Sequence, residues 1–596
     1  MQKSKKEIFA TFYNGTFLPM LAGVILYLLA LPPTNLWWLG WLVAACWVPI
    51  LRRETLSRRV YRKIWLCGLI FWGVTVHWVC YAHWATCFGW VAMSCYLGIY
   101  FPLFVFFART LHHTTICGHF RLPVWFAAPI AWLAVMSLQK TLMGGFGFAL
   151  LEHSQAHQTA LIQLADVGGE SLVGAVMIFV GVMLGYCLPV TLSASPDAAN
   201  VLPKPTVKQI TVSIITVTLT FLFVISYAQL RESQRVSSDR LPLRVALLQG
   251  SFRASLSVPP GWYDEVFEHY KQMALDASKN KHQPCDLIIW PESTCIYPWV
   301  DIDLSELSGN TAEMWTGEQI DAMIANIEEN QEIIELANQI GVPCIYGVGT
   351  YIFSEKQKKY FQCNSALYID NNNYIDYSSI NQAISNPCFF RYDKMLLVMF
   401  GEYLPFVEYL PESFFLKTLC QRADFGKKPV GFFLRPINDN YTNHVSNKLR
   451  QNQYYLASSN ICFESSSSSL IRQQLLTLKK HGEEPDILIN ISNDGWFRHS
   501  SQIDMHLATH IFRAIENRKP YLAATNGGFS VGVDGSGNVL AIGQRAKNQV
   551  VYVELTADNR KSSYHYVGNL FHITSFGIIF IVALCRFLRD KTRETI

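Results

Sequence analysis

Seven long apolar stretches crowd the part of the chain before residue 231: roughly Phe17 to Leu31, Leu36 to Leu51, Ile64 to Tyr81, Trp90 to Ala108, Val124 to Leu138, Leu172 to Val190 and Ile210 to Leu230. An eighth, roughly Phe571 to Leu588, stands near the other end. A helix needs about 20 mostly apolar residues to cross the hydrocarbon core of a bilayer, so the pattern predicts eight membrane-spanning helices. Of the 596 residues 50% are apolar and 16% charged, and the formal charge of +4 divides into +8 up to residue 230 and −4 beyond it. The division predicts a helical membrane domain over residues 1–230, a water-facing catalytic domain over 231–570, and an eighth span with its tail over 571–596. The basic residues do not gather on the water-facing part, which argues against nucleic acid as a partner. The first stretch runs into Pro32-Pro33 with no small-residue cleavage site, as expected of a retained anchor rather than a removed signal peptide.

Lysine and arginine near span ends stay in the cytoplasm. With eight spans, Lys3, Lys5 and Lys6, the cluster Arg52 to Lys63, and Arg586, Arg589, Lys591 and Arg593 all fall on that side. The segment 231–570 then faces the opposite, extracytoplasmic compartment, and an odd number of spans would contradict the charge pattern. A transporter is disfavoured because ionisable residues inside the spans are scarce, with Asp166 and Glu170 placed in the connection before the sixth span.

Between 241 and 556, short β-branched runs (Leu243 to Leu248, Asp286 to Trp290, Pro343 to Val348, Ser365 to Ile369, Ser458 to Phe463, Asp486 to Ser492, Tyr521 to Thr525) alternate with helical spacing at Ile327 to Ile340 and Leu507 to Ile515. That alternation predicts an α/β domain whose strands carry side chains to their C-terminal ends. Runs at Ser530 to Val533 and Val550 to Val553, on either side of Asp534-Gly535-Ser536-Gly537, predict a closing hairpin. The segment holds seven cysteines and no C-x-x-C spacing, so neither zinc nor a dithiol redox centre is expected.

Three local patterns carry chemistry. The apolar run Leu287 to Trp290 is broken by Pro291 and presents Glu292 at a strand-to-loop junction, where a carboxylate can act as general base. Tyr392-Asp393-Lys394 precedes Phe400-Gly401-Glu402, so that Lys394 can meet a developing oxyanion and Glu402 can hold its ammonium. Asn460-Ile461-Cys462-Phe463-Glu464 ends a strand at a serine-rich turn, which exposes a thiol with a carboxylate two residues on. Each has an ordinary alternative: a helix cap, a solvated charge, a core thiol.

In this order the three patterns resemble the Glu-Lys-Cys triad of the nitrilase superfamily. The eight-span layout, Leu248-Gln249-Gly250, Asn490 to Phe497, Arg513 to Asn517, Thr525 to Gly528 and Tyr564 to Gly568 are similar to its membrane-embedded branch, which acylates lipoproteins. The resemblance implies an αββα sandwich in the bacterial inner membrane, facing the periplasm, with no cofactor and no metal. It implies Glu292, Lys394 and Cys462 as catalytic residues, Glu402 and Glu464 as their supports, and Trp262, Phe463 and Trp496 as substrate contacts. It further implies a cysteine thioester, a phospholipid acyl donor, a diacylglyceryl-modified apolipoprotein acceptor, contact with membrane lipids, and a monomer. Met399 stands where the family usually has proline and Phe463 where it often has tyrosine. Additions near Asp301 to Gln319 and Asn371 to Phe390 lengthen the chain. The rival reading is a membrane-tethered amidase that passes the acyl group to water. The apolar run Leu404 to Leu416, rimmed by Glu408 and Glu412, is expected to form a lipid-facing lid.

Overall fold

The computed structural model describes residues 17–116, 120–187, 206–236, 240–255, 258–302, 330–354, 359–370, 389–405, 407–409, 420, 423–436 and 454–594. Most of the two added segments and residues 406 and 410–416 of the expected lid lie outside the described residues. The chain divides into two compact units, one made of 1–235, 504–517 and 561–596, the other of 236–503 and 518–560.

In the first unit the described residues of each apolar stretch are largely helical. Five helices among the described residues are long and apolar enough to cross a membrane: Thr86–His113, Val124–Gly144, Ala165–Cys187, Val207–Ser233 and Leu570–Arg589. Phe17–Ala30 and Trp37–Leu51 are shorter apolar helices, and Arg58–Thr75 opens with basic residues before its apolar run. Val207–Ser233 turns Val212, Ile214, Ile215, Leu219, Leu222 and Phe223 outward, and Leu570–Glu594 does the same with Ile573, Phe580, Ile581 and Phe587. Apolar faces of that extent are stable against hydrocarbon and costly against water.

Asp166 and Glu170 lie within the first turns of Ala165–Cys187 rather than in the connection before it, on either side of a break at Gly168 and Gly169. Both are buried and paired. Asp166 accepts from Arg231 Nε at 2.7 Å, and the Glu170 carboxylate meets Lys140 Nζ at 2.6 Å and Arg513 Nη2 at 2.6 Å. Arg513 lies on the helix Gln502–Asn517, and Glu516 of that helix accepts from the Glu170 backbone N–H at 2.7 Å. These contacts explain why residues 504–517, expected inside the water-facing domain, pack with the helical unit. Charges so matched hold the helices together.

The second unit is built on two sheets. Its strands in chain order are β1 (Leu243–Gln249), β2 (Leu287–Ile289), β3 (Trp299–Ile302), β4 (Cys344–Ser354), β5 (Lys359–Ile369), β6 (Phe389–Asp393), β7 (Gly431–Leu434), β8 (Tyr455–Ile461), β9 (Ile487–Asn493), β10 (Tyr521–Asn526), β11 (Val531–Val533), β12 (Val539–Ile542) and β13 (Gln549–Leu555). One sheet runs β13-β1-β2-β4-β5-β6 with β3 also paired to β4, and the other runs β12-β11-β10-β9-β8-β7. Pairing is parallel for β1 with β2, β2 with β4, β8 with β9 and β9 with β10. Parallel strands buried on both faces explain the nearly continuous apolar runs in the sequence.

Alternation along β1 shows how the layers form. Leu243, Val245 and Leu247 enter a core between the sheets with Ile289, Ile461, Ile487, Ile489 and Ile491. Ala246 and Leu248 point the other way, onto Val266, Phe267 and Tyr270 of the helix Trp262–Ser278 and Ile333, Leu336 and Ile340 of the helix Gln331–Ile340. Successive side chains on a strand face opposite sides, so one seven-residue run serves two cores. With the helix Ser468–Lys480 on the outer side of the second sheet, the order of layers is the αββα sandwich the resemblance implied.

The closing hairpin differs from expectation. Val531–Val533 pairs with Val539–Ile542 across the turn at Asp534, while Gln549–Leu555 crosses to the other sheet and pairs with β1. The tight turn returns the chain at once, so the next residues form the partner. Val551, Val553 and Leu555 are instead drawn into the core between the sheets. Ile489, fully buried there, tests this core: Ile489→Ala should lower the unfolding free energy of the detergent-solubilised protein by about 2–5 kcal/mol.

Candidate active site

Glu292 follows β2 in a turn whose next residue, Ser293, has φ 54°. Trp290 N–H donates to Ile345 O at 2.8 Å and Thr294 Oγ1 to Pro291 O at 2.8 Å, fixing both sides of the turn. A Cβ on Gly347 would come within 2.2 Å of Pro291 O and 2.7 Å of Glu292 Cα, so β4 can run this close to the turn only because residue 347 is glycine.

Lys394 leaves β6 with its backbone N–H on Asn364 O at 2.9 Å. Its Nζ donates to Glu292 Oε1 at 3.0 Å and to Glu402 Oε1 at 2.7 Å, and the side chain is about 1% exposed. Burial acts to lower the pKa of this ammonium, but the carboxylates of Glu292 and Glu402 outweigh it and hold the group well above the ordinary lysine value. Glu402 is steadied by Val398 N–H on its other oxygen at 2.8 Å.

Cys462 begins the turn Cys462–Ser466 directly after β8, with φ 52°. That left-handed conformation disfavours a residue with a side chain, and it lifts the thiol out of the strand's alternation. The half-buried thiol lies in electrostatic range of Glu292 and Lys394. Burial first, and then the Glu292 charge, push its pKa well above the usual value despite the opposing pull of Lys394, so the resting form is the thiol. Glu464 accepts from the backbone N–H groups of Ile461, Met395 and Leu396 at 2.7, 2.6 and 2.9 Å, thereby tying the Cys462 turn to the Lys394 turn.

The site thus brings together Glu292, Lys394, Glu402, Cys462 and Glu464, which the sequence patterns had singled out. Phe463 is half-buried beside the thiol. Trp496 occupies the turn Asp494–Phe497, one turn beyond Asn493, whose N–H donates to Glu292 Oε2 at 2.9 Å. Trp262 starts its helix against the Phe252 ring at 6.1 Å and reaches the site only through partners: Asn526 binds the Phe252 backbone at 2.9 and 3.0 Å and Asn493 Oδ1 at 2.8 Å. Asn364 was missed. Its Nδ2 donates to Glu292 Oε1 at 2.7 Å, and its only sequence signal was its place at the start of a β-branched run. Among the described residues no group of histidine, cysteine and carboxylate side chains could hold a metal ion.

A family model described as Carbon-nitrogen hydrolase matches residues 244–563, more than half of the chain and all five of these side chains. The chain belongs to the carbon-nitrogen hydrolase family. A second model, Apolipoprotein N-acyltransferase N-terminal domain, matches residues 22–183, which places the chain on the membrane-embedded branch of the nitrilase superfamily. Curated relatives named Apolipoprotein N-acyltransferase include those of Haemophilus ducreyi (26% identical, 95% of each chain covered), Geobacter metallireducens (23%, covering 96% of this chain and 95% of that one) and Rhodopirellula baltica (24%, covering 85% and 86%).

The close approach at Gly347 gives a test of how tightly Glu292 must be held. Gly347→Ala should displace the Glu292 turn and cut turnover by about tenfold or more, since small misplacements of a catalytic group are costly. A crystal or cryo-EM structure of the variant should show the Glu292 to Lys394 contact lengthened.

Proposed function

We propose that Glu292, Lys394 and Cys462 carry out a two-step acyl transfer to the amino terminus of lipoproteins. The protein is an acyltransferase of lipoprotein maturation, and its family supplies phospholipid and apolipoprotein as substrates. The observation that carries the residue roles is the buried ammonium of Lys394, clamped between two carboxylates beside a thiol on a left-handed elbow.

The thiol is un-ionised at rest, so its proton has to leave as sulfur attacks. Glu292 takes that proton while Cys462 Sγ forms a bond to the ester carbonyl of the phospholipid. An ammonium has three N–H donors. Glu292 and Glu402 engage two on Lys394, and the third is what the tetrahedral oxyanion would use. Collapse breaks the ester C–O bond, Glu292 returns the proton to the departing alcohol, and a lysophospholipid leaves a thioester on Cys462. The α-amine of S-diacylglyceryl-cysteine then attacks the thioester; Glu292 takes a proton from the amine and passes it to the sulfur as the C–S bond breaks, and the amide product leaves. Glu402 and Glu464 act on Lys394 and on the two turns rather than on the transferred proton, Phe463 and Trp496 line the approach of the acyl chain, and Trp262 acts on the site only through Phe252 and Asn526. The amidase alternative is not favoured, because the match to the acyltransferase membrane domain has no use in an enzyme for a small soluble amide. Two lipid-anchored substrates give that domain its physical purpose: acyl chains never have to cross water.

The rest of the reading is topological. The chain acts as a monomer in the bacterial inner membrane through eight spans, the shorter helices Phe17–Ala30, Trp37–Leu51 and Arg58–Thr75 adding three to the five long ones. Residues 231–570 face the periplasm. The support is the lysine and arginine bias of the other face.

Incubated with phospholipid and no acceptor, the protein should gain one acyl chain at Cys462, removable by hydroxylamine and located by peptide mass analysis. Cys462→Ser should lose nearly all turnover, because a hydroxyl is much harder to ionise than a thiol, while Cys295→Ala should stay active. An adduct that persists in Cys462→Ala would overturn the assignment. For the topology, a single cysteine introduced near Arg593 should resist an impermeant thiol reagent in intact cells, and one near Asn371 should react.

A further inference from the structure

Behind the triad a second line of side chains joins the same two turns. Gln474, on the helix Ser468–Lys480, donates from Nε2 to Tyr392 Oη at 2.7 Å. Tyr392 Oη donates in turn to both oxygens of Glu464, at 2.9 and 2.8 Å. Glu464 also collects the three backbone N–H groups of Met395, Leu396 and Ile461. Tyr392 and Glu464 are fully buried and Gln474 is 2% exposed, so no water competes for these bonds.

The hydrogen count gives this line a direction. A phenol has one proton, and with the Gln474 amide on its lone pair that proton points at Glu464. Every other partner of Glu464 is a backbone donor. A proton on Glu464 would face only donors, so the full set of bonds exists for the carboxylate alone. Yet burial raises Glu464, to about 7, against the opposing effects of the Ile461 and Leu396 N–H groups, the Lys394 charge and the Tyr392 hydroxyl. Near neutral pH, then, the phenol donor matters to which form is present. The titratable groups facing Glu464 are Tyr392 and Lys394 from β6 and its exit and Cys462 from its own turn, while the helix contributes the uncharged Gln474.

We propose that Tyr392, its phenol proton directed by Gln474, is a positioning residue that keeps Glu464 a pure acceptor, so that one carboxylate holds the backbone beside Lys394 and the backbone beside Cys462 in a fixed relation. The proposal rests on the reading that Lys394 and Cys462 are the reacting pair. Tyr392 touches no substrate; it acts through Glu464.

The measurement is single-turnover acylation of Cys462 by phospholipid in detergent micelles, followed by intact mass with the full chain from about pH 5.5 to about pH 9. Tyr392→Phe keeps the ring and removes the donor. Losing a bond to the charged form raises the pKa of a carboxylate, so the acid limb of the rate should move to higher pH by about one unit, with about a tenfold loss below it. Rates should recover toward the wild-type value as pH rises, and the phospholipid KM should be unchanged. Gln474→Met should move the limb in the same sense by less, and decides the matter should Tyr392→Phe not fold. An acid limb in its wild-type place in both variants, with normal acylation of Cys462, overturns this inference and leaves the nucleophile standing. Acylation of another residue in a Cys462→Ala control overturns the nucleophile and with it the basis of the inference.

Discussion

An ammonium withdrawn from water is the constraint on which the catalytic unit depends. Lys394 is almost wholly buried, and removing such an ion from solvent costs several kcal/mol unless opposite charges and hydrogen bonds offset it. Glu292 and Glu402 supply both, from two different turns, and Glu292 is held in its own place by Asn364 and by the Asn493 N–H. The three charges therefore coexist only when β2, β6 and β9 end at the right heights and β5 brings Asn364 alongside them. Registers that the sheets fix by apolar alternation are checked a second time by charge, because a shift of one residue would strand a carboxylate or an ammonium in the interior.

The same crowding accounts for the local backbone. Ser293, Phe400 and Cys462, each in or beside a turn that carries a site residue, adopt positive φ. Left-handed residues with side chains persist only where surrounding structure determines them. Here the determining contacts are close backbone approaches: β4 against the Glu292 turn at Gly347, and Gly426, whose N–H donates to Lys394 O at 2.7 Å. Burial and the Glu292 carboxylate keep the Cys462 thiol protonated.

Burial also explains what Glu464 adds. Two residues from the thiol, it reads in sequence as a neighbour of Cys462 alone. In the fold it is shared between two, through three backbone donors and a phenol that come from separate segments. A carboxamide has one oxygen and cannot accept all of these, so the group serves the architecture of the unit as well as its chemistry.

The sequence by itself determined the elements whose cause is local. Apolar runs too long for anything but helices marked the spans, β-branched runs such as Leu243 to Leu248 marked strands, and Pro291 and the serine run after Cys462 marked the turns that present Glu292 and the thiol. Hydrophobic length and turn chemistry act over a few residues, so they can be read from a few residues. What only the tertiary structure decided depends on groups far apart in the chain. The helix Gln502–Asn517 joins the helical unit because Arg513 finds Glu170, 343 residues away. Val550 to Val553 leaves the expected hairpin for β1 because the core between the sheets has room for Val551 and Val553. Asn364, Tyr392 and Gln474 gained their places from hydrogen bonds to partners 72, 72 and 82 residues away. Such bonds follow from which donors and acceptors are buried together, and burial is a property of the packed chain rather than of any segment of it.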